Sequence, residues 1–123
     1  MSTRRYRLKP WLIRALIPEG VMGSYVLWGP AAPVYVGRSE TSLRRRLIEH
    51  SQNWPNSFFT YDVAFTAQNA YTMECSLFHA LGDRTTNVDH PQRSAASDPG
   101  CPFCLDTLKE IRSNRLRLKT VST

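Results

Sequence analysis

Residues 23–38, with the sequence GSYVLWGPAAPVYVGR, decide the fold of this chain. Strand-forming residues at 24–28 and 34–36 flank a breaking run that contains one glycine and two prolines. This pattern predicts an antiparallel hairpin. If Trp28 lies opposite Ala32, Tyr25 falls opposite Tyr35, and directly opposed residues point to the same face of a sheet. We therefore expect the hairpin to present two phenol groups side by side.

A helix is predicted directly after the hairpin, over residues 43–51. Hydroxyl residues precede it as candidate caps, and no glycine or proline interrupts it. At 100° per residue, Leu43 and Leu47 define its buried stripe, and Arg46 and His50 lie beside that stripe, one turn apart. The helix is expected to bring an arginine and a histidine towards the two phenols.

The remaining chain continues the mixture of strands and helices. Residues 57–67 are predicted to form a long third strand, 70–81 a second helix and 105–118 a basic final helix. The fold class is therefore α/β (α+β), with a small, central, three-stranded, mainly antiparallel sheet flanked by helices. We expect three parts: a basic N-terminal arm or accessory element at 1–20, a core at 21–92, and a connector with a basic C-terminal helix at 93–123.

Positive charge is concentrated at the two ends of the chain. The formal net charge is +6, yet residues 21–100 contain six basic and seven acidic residues. This balance indicates nucleic acid, rather than a membrane surface, as the partner. No apolar run approaches the ~18 residues of a membrane span, so we expect a cytoplasmic or nucleoid-associated protein. A basic arm explains the first residues better than an organelle transit peptide.

Glu74 is the residue hardest to explain by packing alone. It lies in the middle of the apolar stripe of the second predicted helix. Burial of a lone carboxylate costs several kcal/mol unless a cation compensates it. A divalent ion with oxygen ligands, or Arg46, would supply that charge, whereas a glutamate at the edge of the stripe would reach solvent and need neither.

Five ordered elements resemble the GIY-YIG nuclease superfamily: Gly23-Ser24-Tyr25, Tyr35-Val36-Gly37, Leu43-x-x-Arg46, Glu74 and Asn87. The resemblance covers about residues 21–90. It implies a small three-stranded sheet flanked by helices and a metal-dependent endonuclease that hydrolyses phosphodiester bonds in DNA, with RNA still possible. Serine at position 24 and valine at position 36 stand where the family motifs have isoleucine, and neither change removes a reacting group.

The resemblance also implies a role for each matching residue. Tyr25 corresponds to the general base that activates the attacking water, and Tyr35 to the tyrosine that orders the site and the phosphate. Arg46 corresponds to the arginine that stabilises the phosphoryl charge, and His50 is similar to a histidine of some restriction-enzyme members.

Two further positions complete the implied site. Glu74 corresponds to the glutamate that holds a single Mg²⁺ or Mn²⁺ ion, and Asn87 to the asparagine that braces the site. We further expect the neighbouring arginines to contact nucleic acid outside the catalytic group; these are Arg38, Arg44 and Arg45.

The three cysteines suggest a second site. Cys101 and Cys104 have the C-x₂-C spacing of half a zinc knuckle. Cys75 and His79 lie at positions i and i+4 on one flank of the helix that carries Glu74, so both could face a common metal. We predict a structural Zn²⁺ with these four ligands. His90 is a rival fourth ligand, and free thiols without metal are the alternative.

A second function class competes with the nuclease. A catalytically inactive module that binds nucleic acid or protein, with a structural zinc site, would explain the basic ends and the cysteines equally well. The complete set of Tyr25, Tyr35, Arg46 and Glu74 favours the enzyme, because a pure binding module has no physical need for it. No separate recognition domain fits in 123 residues, so selectivity would come from DNA structure, a targeting partner or a homodimer.

Overall fold

The computed structural model describes residues 4–87, 89–95 and 98–104. Over these residues the chain forms one antiparallel sheet with strand order β1-β4-β2-β3, and three α-helices. The strands are β1 (Tyr6–Arg7), β2 (Met22–Trp28), β3 (Pro33–Ser39) and β4 (Phe58–Ala64). The helices are α1 (Pro10–Leu16), α2 (Leu43–Asn53) and α3 (Ala67–Leu81), and a short 3₁₀ helix spans Gly82–Arg84. The predicted α+β class is confirmed.

The sheet has four strands, so the predicted number of three was wrong. The additional strand is β1, in which Tyr6 lies opposite Phe59 of β4. A strand of two residues has no periodicity to detect. The same segment also supplies core residues: Leu8, Ile13 and Ile17 are buried in the main apolar cluster. Residues 6–17 therefore form an integral edge of the sheet and its first covering helix.

The predicted hairpin is present as β2 and β3, but its register differs from the expected one. Tyr25 lies opposite Gly37, and Tyr35 lies opposite Leu27. The loop closes through the Gly29 amide, which donates to the Ala32 carbonyl at 2.8 Å, and the register slips at the end of β2. The difference from the prediction is two residues, an even number, so the two tyrosines still share one face of the sheet.

The two predicted central helices are confirmed. The hydroxyl of Ser42 accepts a hydrogen bond from the Arg45 amide at 3.2 Å, which caps α2. Thr66 caps α3 in the same way by accepting from the Asn69 amide at 3.0 Å. The predicted final helix, 105–118, lies outside the described residues. Among the residues that are described, no helix combines the length and apolar character needed to cross a lipid bilayer.

The helices lie on opposite faces of the sheet. Helices α1 and α2 pack against each other over the face that carries Tyr25, and α3 packs against β2 and β3 on the other face. The first face holds the larger cluster, whose buried members are Leu8, Ile13, Ile17, Tyr25, Leu27, Leu43, Leu47 and Phe59. Under α3 the cluster is smaller and consists of Tyr71, Cys75 and Cys101.

Candidate functional site

Tyr25, Tyr35 and His50 form a compact aromatic group on the face covered by α1 and α2. The Tyr25 hydroxyl lies 2.7 Å from Nε2 of His50. The Tyr35 ring lies against both partners, with centroids 6.3 Å from Tyr25 and 5.4 Å from His50. Tyr25 is 1% exposed, whereas Tyr35 and His50 are partly exposed. The hairpin and α2 thus bring together the side chains that the sequence placed on one face.

Gly37 makes room for this group. A Cβ atom at Gly37 would overlap the Tyr25 hydroxyl, and it would lie 2.5 Å from Cζ of Tyr25 and 3.0 Å from Cε2 of Tyr35. The Tyr25 ring therefore lies directly over the backbone of β3. Gly23 is required for a similar reason, because a Cβ there would overlap the Asp62 carbonyl oxygen of β4. Both motif glycines are explained by close approach of neighbouring atoms.

Electrostatics keep the Tyr25–His50 pair neutral. Burial raises the pKa of Tyr25 well above its ordinary value, Tyr35 and Glu74 raise it further, and the Arg46 guanidinium opposes the shift. Burial lowers the pKa of His50, and the Arg46 cation lowers it further, while Glu49 acts in the opposite direction. When the proton of the neutral imidazole is on Nδ1, the Tyr25 hydroxyl donates and Nε2 of His50 is the acceptor.

Glu74 is paired with Arg38 rather than with Arg46. Its carboxylate lies on α3, on the opposite face of the sheet from the Tyr25 ring, and Oε1 accepts from Nη1 of Arg38 at 2.6 Å. Both side chains are largely buried, with 14% of the Arg38 and 11% of the Glu74 side chain exposed. The expected protein partner of Glu74, Arg46, instead lies 3.8 Å from Glu49 and is half exposed.

Arg38 is the centre of a network that includes the loop after α3. It contacts Oε2 of Glu40 at 2.8 Å, donates to the Gln92 carbonyl at 2.5 Å, and lies 5.1 Å above the Tyr71 ring centroid. Ser94 donates to the same Glu40 oxygen at 2.6 Å. The Arg38 guanidinium is therefore bound by groups of the protein itself. It does not lie on the open surface, where we expected it to contact nucleic acid.

The other two arginines assigned to nucleic acid lie on the surface of α2. Arg44 is 3.6 Å from Glu19, and Arg45 is 3.8 Å from Glu49 with 74% of its side chain exposed. Surface pairs at these distances hold a side chain weakly. Arg45 is accordingly the better placed of the two for contact with a partner.

Burial dominates the titration of Glu74. Removal from water raises the pKa of Glu74, and the Arg38 guanidinium opposes this effect without cancelling it. Glu40 differs, because its hydrogen bonds from Ser94 and Arg38 outweigh burial and lower its pKa. Glu74 also contributes to the raised pKa of Tyr25, so the carboxylate lies within electrostatic reach of the phenol across the sheet.

Asn87 braces the Tyr35-Val36-Gly37 segment of β3 from outside the sheet. Its Oδ1 accepts from the Val36 amide at 2.8 Å, and its Nδ2 donates to the Val36 carbonyl at 2.9 Å. The Thr85 hydroxyl donates to the same Oδ1 at 2.9 Å. These bonds satisfy the free edge of β3 at the residue between Tyr35 and Gly37. The asparagine thus acts on the backbone of β3.

A group of four potential metal ligands lies beside α3. One ligand atom from each of His79, His90, Cys101 and Cys104 lies within 4.8 Å of the others, so the cluster could hold a metal such as zinc. Three members agree with the predicted set, and the fourth is His90 instead of Cys75. Cys75 turns into the interior, where it is fully buried beside Tyr71 and Cys101.

The sequence contained a signal for one contact that we missed. Arg38 follows Gly37 in β3, so alternation places it on the face opposite Tyr35, towards the second helix. The network partners Gln92 and Ser94 belong to an irregular segment, for which no periodicity exists.

Comparison of the chain with protein-family models found no match, and neither did comparison with curated proteins or with solved structures.

Proposed function

We propose that this protein is a divalent-metal-dependent endonuclease of the GIY-YIG type that hydrolyses phosphodiester bonds in DNA. The observation that carries the proposal is the partly buried 2.7 Å contact between the Tyr25 hydroxyl and Nε2 of His50, with Arg46 beside it. A phenol needs an acceptor for its own proton before it can take one from water. In the tautomer with the ring proton on Nδ1, Nε2 of His50 supplies that acceptor beside the proposed general base.

The proposed proton path runs from water to Tyr25 and from Tyr25 to His50. As the water oxygen attacks phosphorus, its proton moves to the Tyr25 oxygen and the phenol proton moves to Nε2 of His50. The lowered pKa of His50 keeps the imidazole neutral and able to accept at neutral pH. The bond to the leaving oxygen breaks, and solvent protonates that oxygen.

Arg46 is suited to stabilise the phosphate during this step. Its side chain is 47% exposed, so a substrate can reach it, and it lies close enough to Tyr25 to influence the pKa of the phenol. A guanidinium offers paired donors that match phosphate oxygens. Charge that develops on the phosphoryl oxygens would therefore meet a fixed cation next to the proposed base.

Glu74 fits a role in holding Mg²⁺ or Mn²⁺. Mg²⁺ is commonly held by one or two carboxylates together with water and substrate phosphates. The Arg38 contact is made by Oε1 of Glu74, so Oε2 is the oxygen that could coordinate a cation. Such an ion would supply positive charge at the scissile phosphate. A cation would also offset the burial that raises the pKa of this carboxylate.

DNA is the proposed substrate because of the charge distribution and the exposed face of α2. The chain carries a net charge of +6, and Arg45 is exposed beside Arg46. Phosphate contacts of this kind position a duplex without reading its sequence. RNA is the alternative substrate, and a targeting partner or a homodimer would supply selectivity.

A cleavage assay tests this proposal. Supercoiled DNA is incubated with Mg²⁺ or Mn²⁺ and the wild type, Tyr25→Phe, Glu74→Gln or Tyr61→Phe. Tyr61 is a matched control because it lies opposite Tyr25 in β4 and outside the aromatic group with His50. We expect Tyr25→Phe and Glu74→Gln to lower the rate by about 10²-fold or more, with Tyr61→Phe close to wild type. Equal rates in all four proteins would contradict the proposed roles.

One observation favours the binding module as a second candidate. The 2.6 Å ion pair with Arg38 already compensates the Glu74 carboxylate without a metal. The same preparations separate the two functions if DNA binding is measured by gel shift beside cleavage. Binding without cleavage by the wild type, at every metal concentration, would favour the module and exclude the nuclease.

A further inference from the structure

The four-residue cluster beside α3 has nearly the dimensions of a tetrahedral zinc site. Zn–S bonds of about 2.3 Å and Zn–N bonds of about 2.0–2.1 Å give a tetrahedron with edges of about 3.3–3.8 Å. Sγ of Cys104 lies 3.4 Å from Nε2 of His79 and 3.1 Å from Nε2 of His90, and all four ligand atoms lie within 4.8 Å of one another. Shifts of about 1 Å or less would complete the geometry.

The hydrogen bonds around the cluster orient the ligand atoms for a cation. Nδ1 of His90 lies 2.7 Å from the Pro91 carbonyl. A carbonyl can only accept, so Nδ1 carries a proton, and Nε2 is the ring nitrogen that lies towards Cys104. The Phe103 amide donates to Sγ of Cys101 at 3.4 Å. Such outer contacts are usual for metal-binding histidine and cysteine side chains.

The ligand chemistry selects the metal. Two thiolates and two imidazoles in a tetrahedral arrangement are typical of Zn²⁺, whereas Mg²⁺ and Mn²⁺ prefer oxygen ligands. None of Cys75, Cys101 and Cys104 forms a disulfide, so the thiols are available as ligands. The cluster is therefore distinct in chemistry from the carboxylate of Glu74.

We propose that His79, His90, Cys101 and Cys104 bind one Zn²⁺ ion, and that this ion clamps residues 90–94 onto the Arg38–Glu40–Glu74 network. The ion would join three separate parts of the chain: α3 through His79, the loop after Asn87 through His90, and the C-x₂-C turn. The proposal does not depend on nuclease activity, because it concerns how the chain is held together.

The clamp follows from the position of His90. Two residues after it, the Gln92 carbonyl accepts from Arg38, and four residues after it, Ser94 donates to Glu40. The described residues 89–95 contain no helix or strand, so ordinary backbone ladders do not hold them in place. Fixing such a segment costs about 1–2 kcal/mol of conformational entropy per residue. A metal bond at its first end offsets part of that cost and keeps the partners of Arg38 in place.

Metal analysis of purified variants tests the ligand set. The full chain is purified without added zinc, and bound zinc is measured for the wild type, Cys104→Ala, His90→Ala and Cys75→Ala. We expect about one zinc per chain in the wild type and in Cys75→Ala, which is the matched control, and less than a tenth of that in the other two. Absence of zinc from the wild type, or its loss from Cys75→Ala alone, would overturn the proposal.

Cobalt substitution covers the possibility that a ligand variant fails to fold. Wild-type protein stripped of metal and loaded with Co²⁺ should show the visible absorption of a tetrahedral ion and a near-ultraviolet thiolate charge-transfer band. An octahedral spectrum without thiolate absorption would contradict a Cys₂His₂ site.

Hydrogen exchange tests the clamp itself. Chelation of zinc from the wild type should accelerate amide exchange at least tenfold in residues 89–95, and less strongly at 38–40. Peptides from β2 and β4 should keep their protection, because the sheet does not depend on the ion. Unchanged exchange in residues 89–95 after demonstrated loss of zinc would exclude the clamp, whereas global loss of protection would show that the ion supports the whole fold and would also contradict the local role.

Discussion

The two faces of the sheet hold their polar groups in different ways. On the face covered by α1 and α2, Tyr25 and His50 are neutral and share one hydrogen bond, and Tyr25 belongs to the larger apolar cluster. On the face covered by α3, Arg38 and Glu74 are charged, and their network recruits the Gln92 carbonyl from an irregular loop. The first group is made by regular elements alone, and the second needs the loop after α3.

This difference determines how each face responds to the loss of one side chain. A neutral hydrogen bond contributes about 0.5–1.5 kcal/mol net, so its loss is tolerated. Removal of one member of a buried ion pair leaves an uncompensated charge, which costs about 3–5 kcal/mol. The α3 face, although it has fewer apolar residues, is therefore expected to be the more sensitive of the two to a single substitution.

Arg38→Met should cause the largest loss of stability, about 3 kcal/mol or more in the free energy of unfolding at neutral pH. Glu74 would remain buried without its cation. Urea unfolding followed by tryptophan fluorescence measures the loss. Arg45→Met is the matched control, since Arg45 is exposed and pairs only at 3.8 Å with Glu49, and it should change stability by less than about 0.5 kcal/mol. Equal losses of unfolding free energy in both variants would show that the buried ion pair does not make the α3 face more sensitive to substitution.

The pH dependence of this loss has a defined sign. Burial already raises the pKa of Glu74 in the wild type, and loss of Arg38 would raise it further. A raised pKa in the folded state means that protonation favours folding, and this contribution disappears as pH rises through the folded pKa. The loss caused by Arg38→Met should therefore shrink at mildly acidic pH. The double variant with Glu74→Gln should recover part of it at neutral pH.

The periodicity of strands and helices explains why the sequence predicted the aromatic group on the first face. Alternation along β2 and β3 placed Tyr25 and Tyr35 together even though the register was two residues off, because an even shift preserves the face. The helical period placed His50 beside the apolar stripe of α2, and the structure brings it to Tyr25. Both rules act on regular elements, so local sequence was sufficient.

Irregular segments explain what the sequence could not predict on the second face. The helical period put Cys75 and His79 on one flank, but the choice between Cys75 and His90 depended on the path of a loop. The sequence analysis named Arg46 as the possible protein partner of Glu74, whereas the structure pairs Glu74 with Arg38. The reason is related, since both arginines are basic and the placement of α3 against β3 brings Arg38 to the carboxylate. Tertiary packing, rather than residue type, carried this information.

Gly37→Ala should disrupt the aromatic group on the first face. The added Cβ would overlap the Tyr25 hydroxyl, so the ring must move and the bond to His50 must break. Overpacking of this kind typically costs about 1–3 kcal/mol. Gly29→Ala is the control, since a Cβ there would make ordinary contacts at 3.6 Å, and it should stay within about 0.5 kcal/mol of wild type. Thermal unfolding of the two variants compares them, and equal stabilities would show that the glycine is not needed for the ring.

The smallest expected effect is a change in the pKa of His50. This neutral group on the first face responds to nearby charges with which it forms no ion pair. Arg46 lowers the pKa of His50 and Glu49 raises it, with burial as the larger cause. Arg46→Gln should therefore raise the pKa of His50 and Glu49→Gln should lower it, as measured by NMR of the imidazole protons. Since the folded pKa of His50 is depressed, protonation opposes folding, and the wild type should lose stability as the pH falls through the ordinary histidine value near 6.5. That loss should be smaller in Arg46→Gln, and shifts of the same sign in both variants would mean that changes in burial, rather than charge, set the state of His50.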